Sequence, residues 1–383
     1  MKVVVLNQVS GVLFYDICNS LNKSPEIEVE LHSQPEKSAT SLNEGIKFFP
    51  APKYNKRNYL TKITSWLKFC LYASRIYLSS GHDDKILISS NPPLLLHFLY
   101  FINSFKKRSF SIIVYDIYPE IIVEMGIFSP RNFLVKIWKF INKKAFFRSE
   151  KIYTITKKMK DTLIMNYQLD HKKIDLLEIW VDTKKYRPIP RDNNNLIREL
   201  NSEKKLVVTY SGNFGISHDH MTFLKAIKKI NNRLDIVFII CGGGEKYILA
   251  QKFVNRHNIK NVKFLNYQSE SDYIKLLSMS HISIVSQAKG SENSMIPSKT
   301  FFCMSVECAI FCITSIRSEL CKLVISAKCG QCFRLGDHDS LANELIKSIE
   351  SKELLLYGKR GRKYILKHHN KQKILSKFSL GAS

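Results

Sequence analysis

The amino-acid sequence predicts an α/β fold with two doubly wound domains. Short, apolar, β-branched segments alternate with helical segments through the first half of the chain, and the same alternation restarts after residue 200. Alternation of this kind builds a parallel sheet covered by helices on both faces. With 383 residues, 45% of them hydrophobic and 11% aromatic, the chain is long enough to bury two cores.

The predicted elements run in order through both halves. Strands are predicted at Lys2–Leu6, Glu28–Leu31, Lys85–Ser89, Ser111–Tyr115, Lys151–Thr156, Leu206–Tyr210, Ile236–Cys241, Val262–Phe264, Ile282–Val285, Ala309–Thr314 and Gln331–Leu335. Helices are predicted at Phe14–Leu21, Leu60–Ser79, Leu94–Phe105, Pro130–Arg148, Lys157–Asn166, Thr222–Ile230, Lys246–His257, Ser271–Leu277, Ser298–Glu307, Ser340–Glu350 and Leu354–Ser376. The polar run at 191–195 marks a linker nearby. We therefore predict domains at residues 1–188 and 189–365, followed by a C-terminal segment at 366–383.

Composition narrows the class of protein. The net charge of +26 indicates an anionic partner, such as a nucleotide, an anionic lipid or a nucleic acid. No uncharged apolar run reaches the roughly 18–20 residues that a membrane-spanning helix needs, and the first residues read as a strand rather than a secretory leader. Together with nine cysteines, an odd number, these features predict a cytoplasmic or peripheral protein in a reducing compartment.

One cysteine pair has a spacing that occurs in zinc and redox sites. Cys329 and Cys332 are separated by two residues, but no second pair has matching spacing, and Cys321 lies in an apolar helical stretch. The sequence therefore favours buried thiols over a metal or redox site, and we predict that no metal is bound.

A glycine turn follows the predicted strand at Leu206–Tyr210. The residues Ser211-Gly-Asn-Phe-Gly215 precede a helix that is predicted to begin near Asp219. Glycines allow a backbone to approach an anion closely, and the first N–H groups of a helix attract negative charge. We predict that Gly212, Asn213 and Gly215 bind a pyrophosphate, with an ordinary tight turn as the alternative.

A second anion contact is predicted at Lys299. It follows Pro297 and Ser298 at the start of a predicted helix, where a proline is favourable but a lysine opposes the helix dipole. A bound anion would compensate that unfavourable charge. Two such elements in one half of the chain predict a nucleotide diphosphate ligand.

Several short motifs follow one another in order along the chain. In the second half these are Tyr210-Ser-Gly-Asn-Phe-Gly215, Ile296-Pro-Ser-Lys299, Cys329-Gly330 and Leu335-Gly-Asp337. In the first half they are Ser90-Asn-Pro-Pro93, Tyr115-Asp-Ile-Tyr-Pro-Glu120, Ile179-Trp-Val-Asp182 and Tyr186-Arg-Pro188. In this order the set resembles the family 4 glycosyltransferases of the GT-B fold, in the branch that builds bacterial O-antigens and capsules.

The resemblance implies two Rossmann-like doubly wound domains facing a cleft, with the last segment crossing back to the first domain. It implies a hexosyltransferase that moves a sugar from a nucleotide diphosphate donor such as a UDP-sugar to a lipid-linked glycan acceptor. Retention of anomeric configuration, without a metal or other cofactor, is expected. The N-terminal domain would bind the acceptor and the C-terminal domain the donor, on the inner, anionic face of the plasma membrane.

The resemblance also implies a set of site residues. Asp116 and Glu120 would orient the acceptor hydroxyl or take up its proton, and Lys299 would stabilise the leaving diphosphate. Donor contacts are expected from Gly212, Asn213, Phe214, Gly215, His218, Gly243, Tyr267, Glu292, Pro297 and Ser298.

Several positions depart from the family pattern. Phe302 stands where many members have a ribose-binding glutamate, so Glu292 or a backbone group would replace it, and Glu307 stands where a glycine is common. Tyr115 replaces a histidine, and Ile216-Ser217 follows the glycine turn in place of an arginine.

The predicted helix Pro130–Arg148 has two unlike faces. Its core face would hold Leu134, Trp138, Ile141 and Ala145. On the other side, aromatic rings lie among lysines, at Phe133, Phe140 and Phe147. Rings among lysines fit the headgroup region of an anionic bilayer, whereas packing against another helix is the alternative. Leu60–Ser79 is a second candidate.

Two other functions fit parts of the sequence. A nucleotide-sugar 2-epimerase shares the two-domain architecture but has no need of an aromatic and basic helix. A basic nucleic-acid-binding α/β protein would account for the charge, but the sequence has no evident helix-turn-helix or RNA-binding aromatic signature.

Overall fold

The structure, a computed structural model, describes residues 1–35, 42–55, 57–106, 108–215, 217–291 and 296–380. The chain divides into two compact units, Met1–Glu178 with Ile374–Ser383, and Ile179–Lys373. The division after Glu178 comes ten residues before the predicted one, because Ile179 and Tyr186 are hydrogen-bonded within the second unit. The Ile179 carbonyl accepts from His369 Nδ1 at 2.8 Å, and the Tyr186 carbonyl accepts from Ser305 Oγ at 2.6 Å. The chain returns to the first unit at Ile374 rather than at residue 366.

The first unit contains a seven-stranded parallel sheet. Its strands are β1 (Lys2–Ser10), β2 (Glu28–Pro35), β3 (Lys47–Pro50), β4 (Lys85–Ser89), β5 (Phe110–Val114), β6 (Lys151–Thr154) and β7 (Ile174–Leu176). Their spatial order is β3-β2-β1-β4-β5-β6-β7. The helices are α1 (Val12–Leu21), α2 (Tyr59–Ser79), α3 (Leu95–Lys106), α4 (Glu120–Glu124), α5 (Phe133–Arg148) and α6 (Lys157–Tyr167).

One face of this sheet is covered by four helices. The apolar side chains of α2, α3, α5 and α6 pack with those of β1, β4, β5, β6 and β7 in a single core, which includes Leu6, Phe69, Leu99, Phe146 and Leu163. Strand β5 is buried at every position, as expected for a central strand of a parallel sheet with both faces covered.

The second unit contains a six-stranded parallel sheet. Its strands are β8 (Leu206–Asn213), β9 (Ile236–Gly243), β10 (Val262–Leu265), β11 (Ile282–Ser286), β12 (Ala309–Ile313) and β13 (Gly330–Phe333), in the order β10-β9-β8-β11-β12-β13. Its longer helices are α8 (Met221–Lys229), α9 (Glu245–Arg256), α10 (Glu270–Met279), α12 (Glu319–Ala327), α13 (His338–Lys347) and α14 (Glu353–His368). Short helices are α7 (Leu196–Glu199) and α11 (Lys299–Ser305), and α15 (Lys371–Leu375) spans the return to the first unit.

The predicted fold class of two doubly wound α/β domains is confirmed. In each sheet the strand order reverses beside the first strand, between β1 and β4 and between β8 and β11. Ligands of open α/β sheets bind at the carboxyl ends of the strands beside such a reversal. These two edges are therefore where the predicted site residues have to be sought.

The observed elements differ from the predicted ones in a few places. Strands β3 and β7 were not predicted, because each is only three or four residues long and lies at an end of the sheet. Helix α5 begins at Phe133 rather than Pro130, because the side chain of Asn132 accepts the Leu134 N–H at 2.8 Å and so caps the helix there. Within the described ranges, no helix combines the length and apolar character required to span a bilayer.

Candidate functional site

The carboxyl ends of β8 and β9 form a turn that depends on glycines. Gly212 and Gly242 are register partners with φ of +110° and +139°. A Cβ on Gly242 would lie 1.9 Å from the Gly212 carbonyl oxygen, so no side chain fits there. At Gly212 the requirement is conformational, because the nearest atom to an added Cβ is Lys299 Cδ at 3.7 Å. The two strands thus end in closely packed glycine backbone, and Lys299 lies beside Gly212.

Lys299 is the first residue of α11, and its side chain is buried against the end of β8. Its Nζ donates to the Ser211 carbonyl at 2.8 Å and lies 4.1 Å from the centre of the Tyr210 ring. Burial lowers the pKa of Lys299 to about 8. Among the ion pairs of the described residues, none includes Lys299. A buried ammonium held only by a carbonyl and a ring is suited to binding an anion.

His218 lies between this strand end and that of β11. Its Nδ1 donates to the Ser286 carbonyl at 2.8 Å, which leaves Nε2 as an acceptor. Burial, and then the charges of Lys299 and Lys246, lower the pKa of His218 to about 4, so the ring is neutral at pH 7. Because Ser286 ends β11, this bond joins the glycine turn to the strand on the other side of the order reversal.

Lys246 is a second cation near His218 that the sequence analysis did not select. Its Nζ donates to the His218 carbonyl at 2.7 Å, and burial lowers its pKa. Lys246 is the second residue of α9, which begins directly after a run of three glycines. The argument used for Lys299, a lysine in a first helical turn, applies equally here and would have found it.

The start of α8 differs from the prediction. The helix begins at Met221 rather than near Asp219, and the Asp219 carboxylate accepts the Thr222 N–H at 3.2 Å. This N–H is therefore satisfied within the chain, and a carboxylate already lies at the helix N-terminus. The positive charge near the glycine turn therefore comes from Lys246 and Lys299, and not from the N-terminus of α8.

Phe214 does not belong to the ligand surface. Its side chain is 1% exposed and packs against Tyr210 at 4.4 Å and Tyr247 at 5.6 Å between ring centres. Its N–H donates to the Gly243 carbonyl at 2.9 Å, and its carbonyl accepts from the Lys246 N–H at 3.2 Å. The apolar residue in the glycine turn thus anchors the turn in the core.

Tyr267 lies beside Gly243 at the next strand end. The ring is so close that a Cβ on Gly243 would lie 2.9 Å from Tyr267 Cε2, yet 64% of the residue is exposed. An exposed aromatic face at this edge provides a surface on which a planar base can stack.

Asn213 and Gly215 complete the turn after β8. A Cβ on Gly215 would lie 3.4 Å from Asn213 Nδ2, so the asparagine side chain folds over the glycine. The Asn213 Oδ1 also lies close to Gly244, where a Cβ would come within 2.7 Å. Asn213 therefore stands between the turns that follow β8 and β9.

The residues before α11 have different surroundings. Pro297 is buried, and its carbonyl accepts the Thr300 N–H at 3.0 Å, whereas Ser298 is exposed at the N-cap. Helix α11 therefore begins one residue later than predicted, at Lys299. Glu292, the predicted ribose contact, lies outside the described residues.

Two of the departures from the family pattern have structural counterparts. Phe302 packs against Tyr186 with ring centres 4.7 Å apart, so an aromatic pair occupies this part of α11. Glu307 adopts φ of +64°, in the left-handed region that favours glycine.

In the first unit, the corresponding sheet edge is lined by hydroxyl and amide groups. Ser89 Oγ donates to Asn7 Oδ1 at 2.7 Å and so links the ends of β4 and β1. Ser90 Oγ accepts the backbone N–H groups of Tyr115 and Asp116 at 3.0 and 3.3 Å. The half-buried Asp116 therefore follows β5 on a backbone that is fixed from β4. Burial raises the pKa of Asp116, opposed by a hydrogen bond from Asn91.

Glu120 is placed differently from Asp116. It is 7% exposed, its Oε2 accepts from the Tyr167 hydroxyl at 3.0 Å, and its Oε1 accepts from Asn166 Nδ2 at 3.2 Å. Lys139 lies 3.5 Å away as an ion-pair partner. Because these partners are on α5 and α6, the Glu120 carboxylate faces the helix layer, and its role is to join helices. The structure does not bring it together with Asp116 as a catalytic pair.

The sequence of the second unit matches a family model. Residues 192–364 match the model described as glycosyl transferases group 1, and this range contains the glycine turn, His218, Lys246 and Lys299. A relative that covers most of the chain supports the match. The probable glycosyltransferase WbjE of Pseudomonas aeruginosa is 20% identical over 332 residues, which cover 86% of this chain and 82% of WbjE. The chain is a glycosyltransferase.

The fold of this glycosyltransferase is found in solved structures. WaaG, described as a glycosyltransferase involved in lipopolysaccharide biosynthesis, aligns with a TM-score of 0.73 at 11% identity over 100% of both chains. Anabaena HepE, solved in complex with UDP-glucose, aligns with a TM-score of 0.70 at 13% identity, over 98% of this chain and 97% of HepE. The predicted GT-B fold class is thereby confirmed.

Proposed function

We propose that the protein transfers a sugar from a nucleotide diphosphate donor, a UDP-sugar, to a lipid-linked glycan during synthesis of a bacterial surface polysaccharide such as O-antigen or capsule. The observation that carries the proposal is Lys299, a buried ammonium beside the positive-φ Gly212 at the carboxyl end of β8. A diphosphate at this edge would receive the charges of Lys299 and Lys246 and approach the backbone of the turn.

The chemistry follows from where charge develops during transfer. Breaking the bond between sugar and diphosphate leaves negative charge on the phosphate oxygens, which Lys299 would stabilise. The neutral His218 can hydrogen-bond the donor without adding charge. In the first unit, Asp116 is the candidate for orienting the acceptor hydroxyl, with a pKa raised by burial. We propose retention of configuration, with the donor phosphate as the proton acceptor and with no metal.

The donor and acceptor classes are supported by what similar proteins are described as binding or making. HepE was solved with UDP-glucose, and the exposed ring of Tyr267 gives this chain an aromatic surface for a base such as uracil. WaaG is described as acting in lipopolysaccharide biosynthesis, which is consistent with a lipid-linked acceptor here.

We further propose that α5 places the enzyme on the inner face of the plasma membrane. Phe133, Phe140 and Phe147 are 73%, 61% and 51% exposed, and Lys144 Nζ lies 5.6 Å from the Phe140 ring centre. Exposed rings flanked by lysines fit a boundary between acyl chains and anionic headgroups.

The buried face of α5 is not the predicted one. Of the predicted core residues only Ala145 is fully buried, and Leu134 is 62% exposed. The buried residues are Val135, Asn142, Ala145 and Phe146. Leu134 thus adds to the exposed apolar surface, because the helix is rotated relative to the prediction by its packing on α3 and the sheet.

Helix α2, which like α5 packs against α3, contributes a second exposed apolar row. Five apolar residues of α2 are each more than a third exposed and recur at spacings of three, four or seven positions. They are Leu60, Ile63, Leu67, Leu71 and Leu78. Helices α2 and α5 both cover the same face of the sheet.

Binding of donors tests the proposed reaction. A panel of nucleotide sugars is screened by thermal shift, since a ligand that binds only the folded state raises the melting temperature. We expect UDP-sugars to stabilise the protein more than purine nucleotide sugars. The best donor is then incubated alone and with a lipid extract. Release of UDP that requires the extract supports transfer, whereas epimer formation from the donor alone supports the epimerase.

Vesicle binding tests the proposed membrane contact. Replacing Phe133, Phe140 and Phe147 by serine should weaken binding to anionic vesicles strongly, because each buried ring contributes on the order of 1.5–3 kcal/mol. As a matched control, three exposed apolar residues of the second unit, Ile248, Leu249 and Ile325, are replaced by serine. Equal loss in both variants, or unchanged binding in the first, would contradict the assignment and direct attention to α2.

A further inference from the structure

Three thiols meet in the second unit, away from the glycine turn. Cys312 lies on β12, Cys332 on the adjacent β13, and Cys321 in the first turn of α12. Cys312 and Cys332 are register partners, and their sulfur atoms are 3.2 Å apart. The Cys332 thiol also donates to the Cys321 carbonyl at 3.7 Å. Neighbouring register partners have the separation that a disulfide requires between Cα atoms.

The cysteine pair that the sequence singles out is not the one that the fold brings together. Cys329 is separated from Cys332 by two residues, but its thiol hydrogen-bonds the Val324 carbonyl at 3.8 Å. In the described part of the chain, no group of His, Cys, Asp and Glu side chains is arranged to hold a metal ion. Neither the sequence spacing nor a metal site among the described residues therefore explains why the three thiols lie together.

Access to the thiols differs. Cys312 and Cys321 are fully buried, whereas Cys332 is only half-buried and is the one that a small oxidant reaches first. Hydrogen bonds with the thiols of Cys321 and Cys332, and then burial, raise the pKa of Cys312 well above its ordinary value, so Cys312 stays protonated in the resting protein.

We propose that Cys312 and Cys332 form a site of reversible oxidation by hydroperoxides, at which they become joined in a disulfide. The Cys332 sulfur attacks the hydroperoxide, the O–O bond breaks, the alcohol leaves with the thiol proton, and Cys332 becomes a sulfenic acid. The Cys312 sulfur then attacks the Cys332 sulfur. The Cys312 proton goes to the leaving hydroxide, which departs as water. Two thiols and one hydroperoxide give one disulfide, one alcohol and one water.

Peptide mapping tests the proposal on the wild-type protein. The native protein is treated with hydrogen peroxide, its remaining thiols are alkylated, and cross-linked peptides are identified by mass spectrometry. We expect a Cys312–Cys332 link that dithiothreitol reverses, formed at least about tenfold faster than oxidation of the buried, isolated Cys18 and Cys70. A Cys329–Cys332 or Cys321–Cys332 link, irreversible oxidation of Cys332 alone, or no reaction in the folded protein would overturn it.

Three single variants sharpen the test. Cys329→Ser should leave the disulfide unchanged, because Cys329 has no part in it, although the sequence spacing pairs it with Cys332. Cys321→Ser should also leave the disulfide unchanged, because Cys332 contacts the backbone carbonyl of residue 321, which serine retains. Cys332→Ser should abolish the link, and a melting temperature equal to that of wild type shows that this loss does not come from unfolding. A link that disappears in Cys329→Ser would contradict the proposal.

Discussion

The two sheets share a strand order but differ in the chemistry of their carboxyl edges. At the end of β8 lie one glycine with positive φ, Gly212, and two cations, Lys299 and Lys246. At the ends of β4 and β5 it places Ser89, Ser90 and the half-buried Asp116, which are hydroxyls and a carboxylate. The same topology therefore yields one edge suited to a phosphate and another suited to hydroxyl groups.

The comparison shows that topology selects where a ligand binds and that side chains select which ligand. In both units the strand order reverses beside the first strand, which is where open α/β sheets bind their ligands. The second unit has the ammonium groups of Lys299 and Lys246 at that edge, whereas the first unit has the Asp116 carboxylate. Substitutions that exchange these properties should affect donor and acceptor steps separately.

The largest effect is expected at Lys299. Lys299→Ala should lower turnover by roughly tenfold to a thousandfold, because a charge that stabilises the leaving diphosphate is lost. Turnover is measured as UDP release at saturating donor with the lipid extract. Lys322→Ala, which removes an exposed lysine of the same unit, is the control. If both variants turn over like wild type, the cationic edge is not part of the reaction.

A separate effect is expected in the first unit. Asp116→Asn should lower turnover by about a hundredfold, the usual contribution of a group that orients or deprotonates a nucleophile, while donor binding stays unchanged. Glu120→Gln is the matched control, because that carboxylate is bound to Tyr167 and Asn166. Glu120→Gln should lower the melting temperature and leave turnover close to that of wild type. The reverse pattern would assign catalysis to Glu120.

Gly212 tests the turn itself. Gly212→Val should fold but lose UDP binding, and strain at φ of +110° should cost about 1–3 kcal/mol of unfolding free energy. Gly336→Ala is a control for strain alone, since Gly336 has φ of +83° and open space around it. Calorimetry with UDP separates the two variants. Normal binding by Gly212→Val would show that the turn has only a structural role.

The pH dependence of UDP binding should give the smallest change. Because burial lowers the pKa of Lys299 to about 8, its charge is present below that pH and lost above it. Affinity should fall by about tenfold per pH unit above 8. Stability of the unliganded protein should rise between pH 8 and 10.5, where the unfolded chain binds more protons. Lys299→Arg, which does not titrate in this range, should bind UDP with little pH dependence, and a steep dependence there would contradict the assignment.

Much of the fold is predictable because its signals are local. All strands except β3 and β7 were predicted to within a few residues, since each is an apolar, β-branched run between polar turns. The glycine turn and Lys299 could also be predicted. Glycines in sequence indicate positive φ, and a lysine at a predicted helix start is evident from the residues around it.

The failures occur where a side chain has partners far along the chain. Glu120 follows Asp116 closely in sequence, yet Asn166 and Tyr167, more than forty residues later, bury it. Leu134 was assigned to the core because periodicity gives the angle between residues on a helix and not the side that faces the sheet. Phe214 was predicted as a donor contact, yet its side chain packs in the core against Tyr247 of α9, more than thirty residues later.

By itself the sequence determined two parallel α/β units, a glycine turn after β8 and a lysine in the first turn of α11. Only the tertiary structure decided that His218 joins β8 to β11, that Lys246 adds a second charge, and that Cys332 pairs with Cys312 and not with Cys329. The physical reason is one of range. Backbone conformation and amphipathic period are properties of neighbouring residues, whereas the partner of a charge or a thiol depends on which strands become adjacent when the sheet assembles.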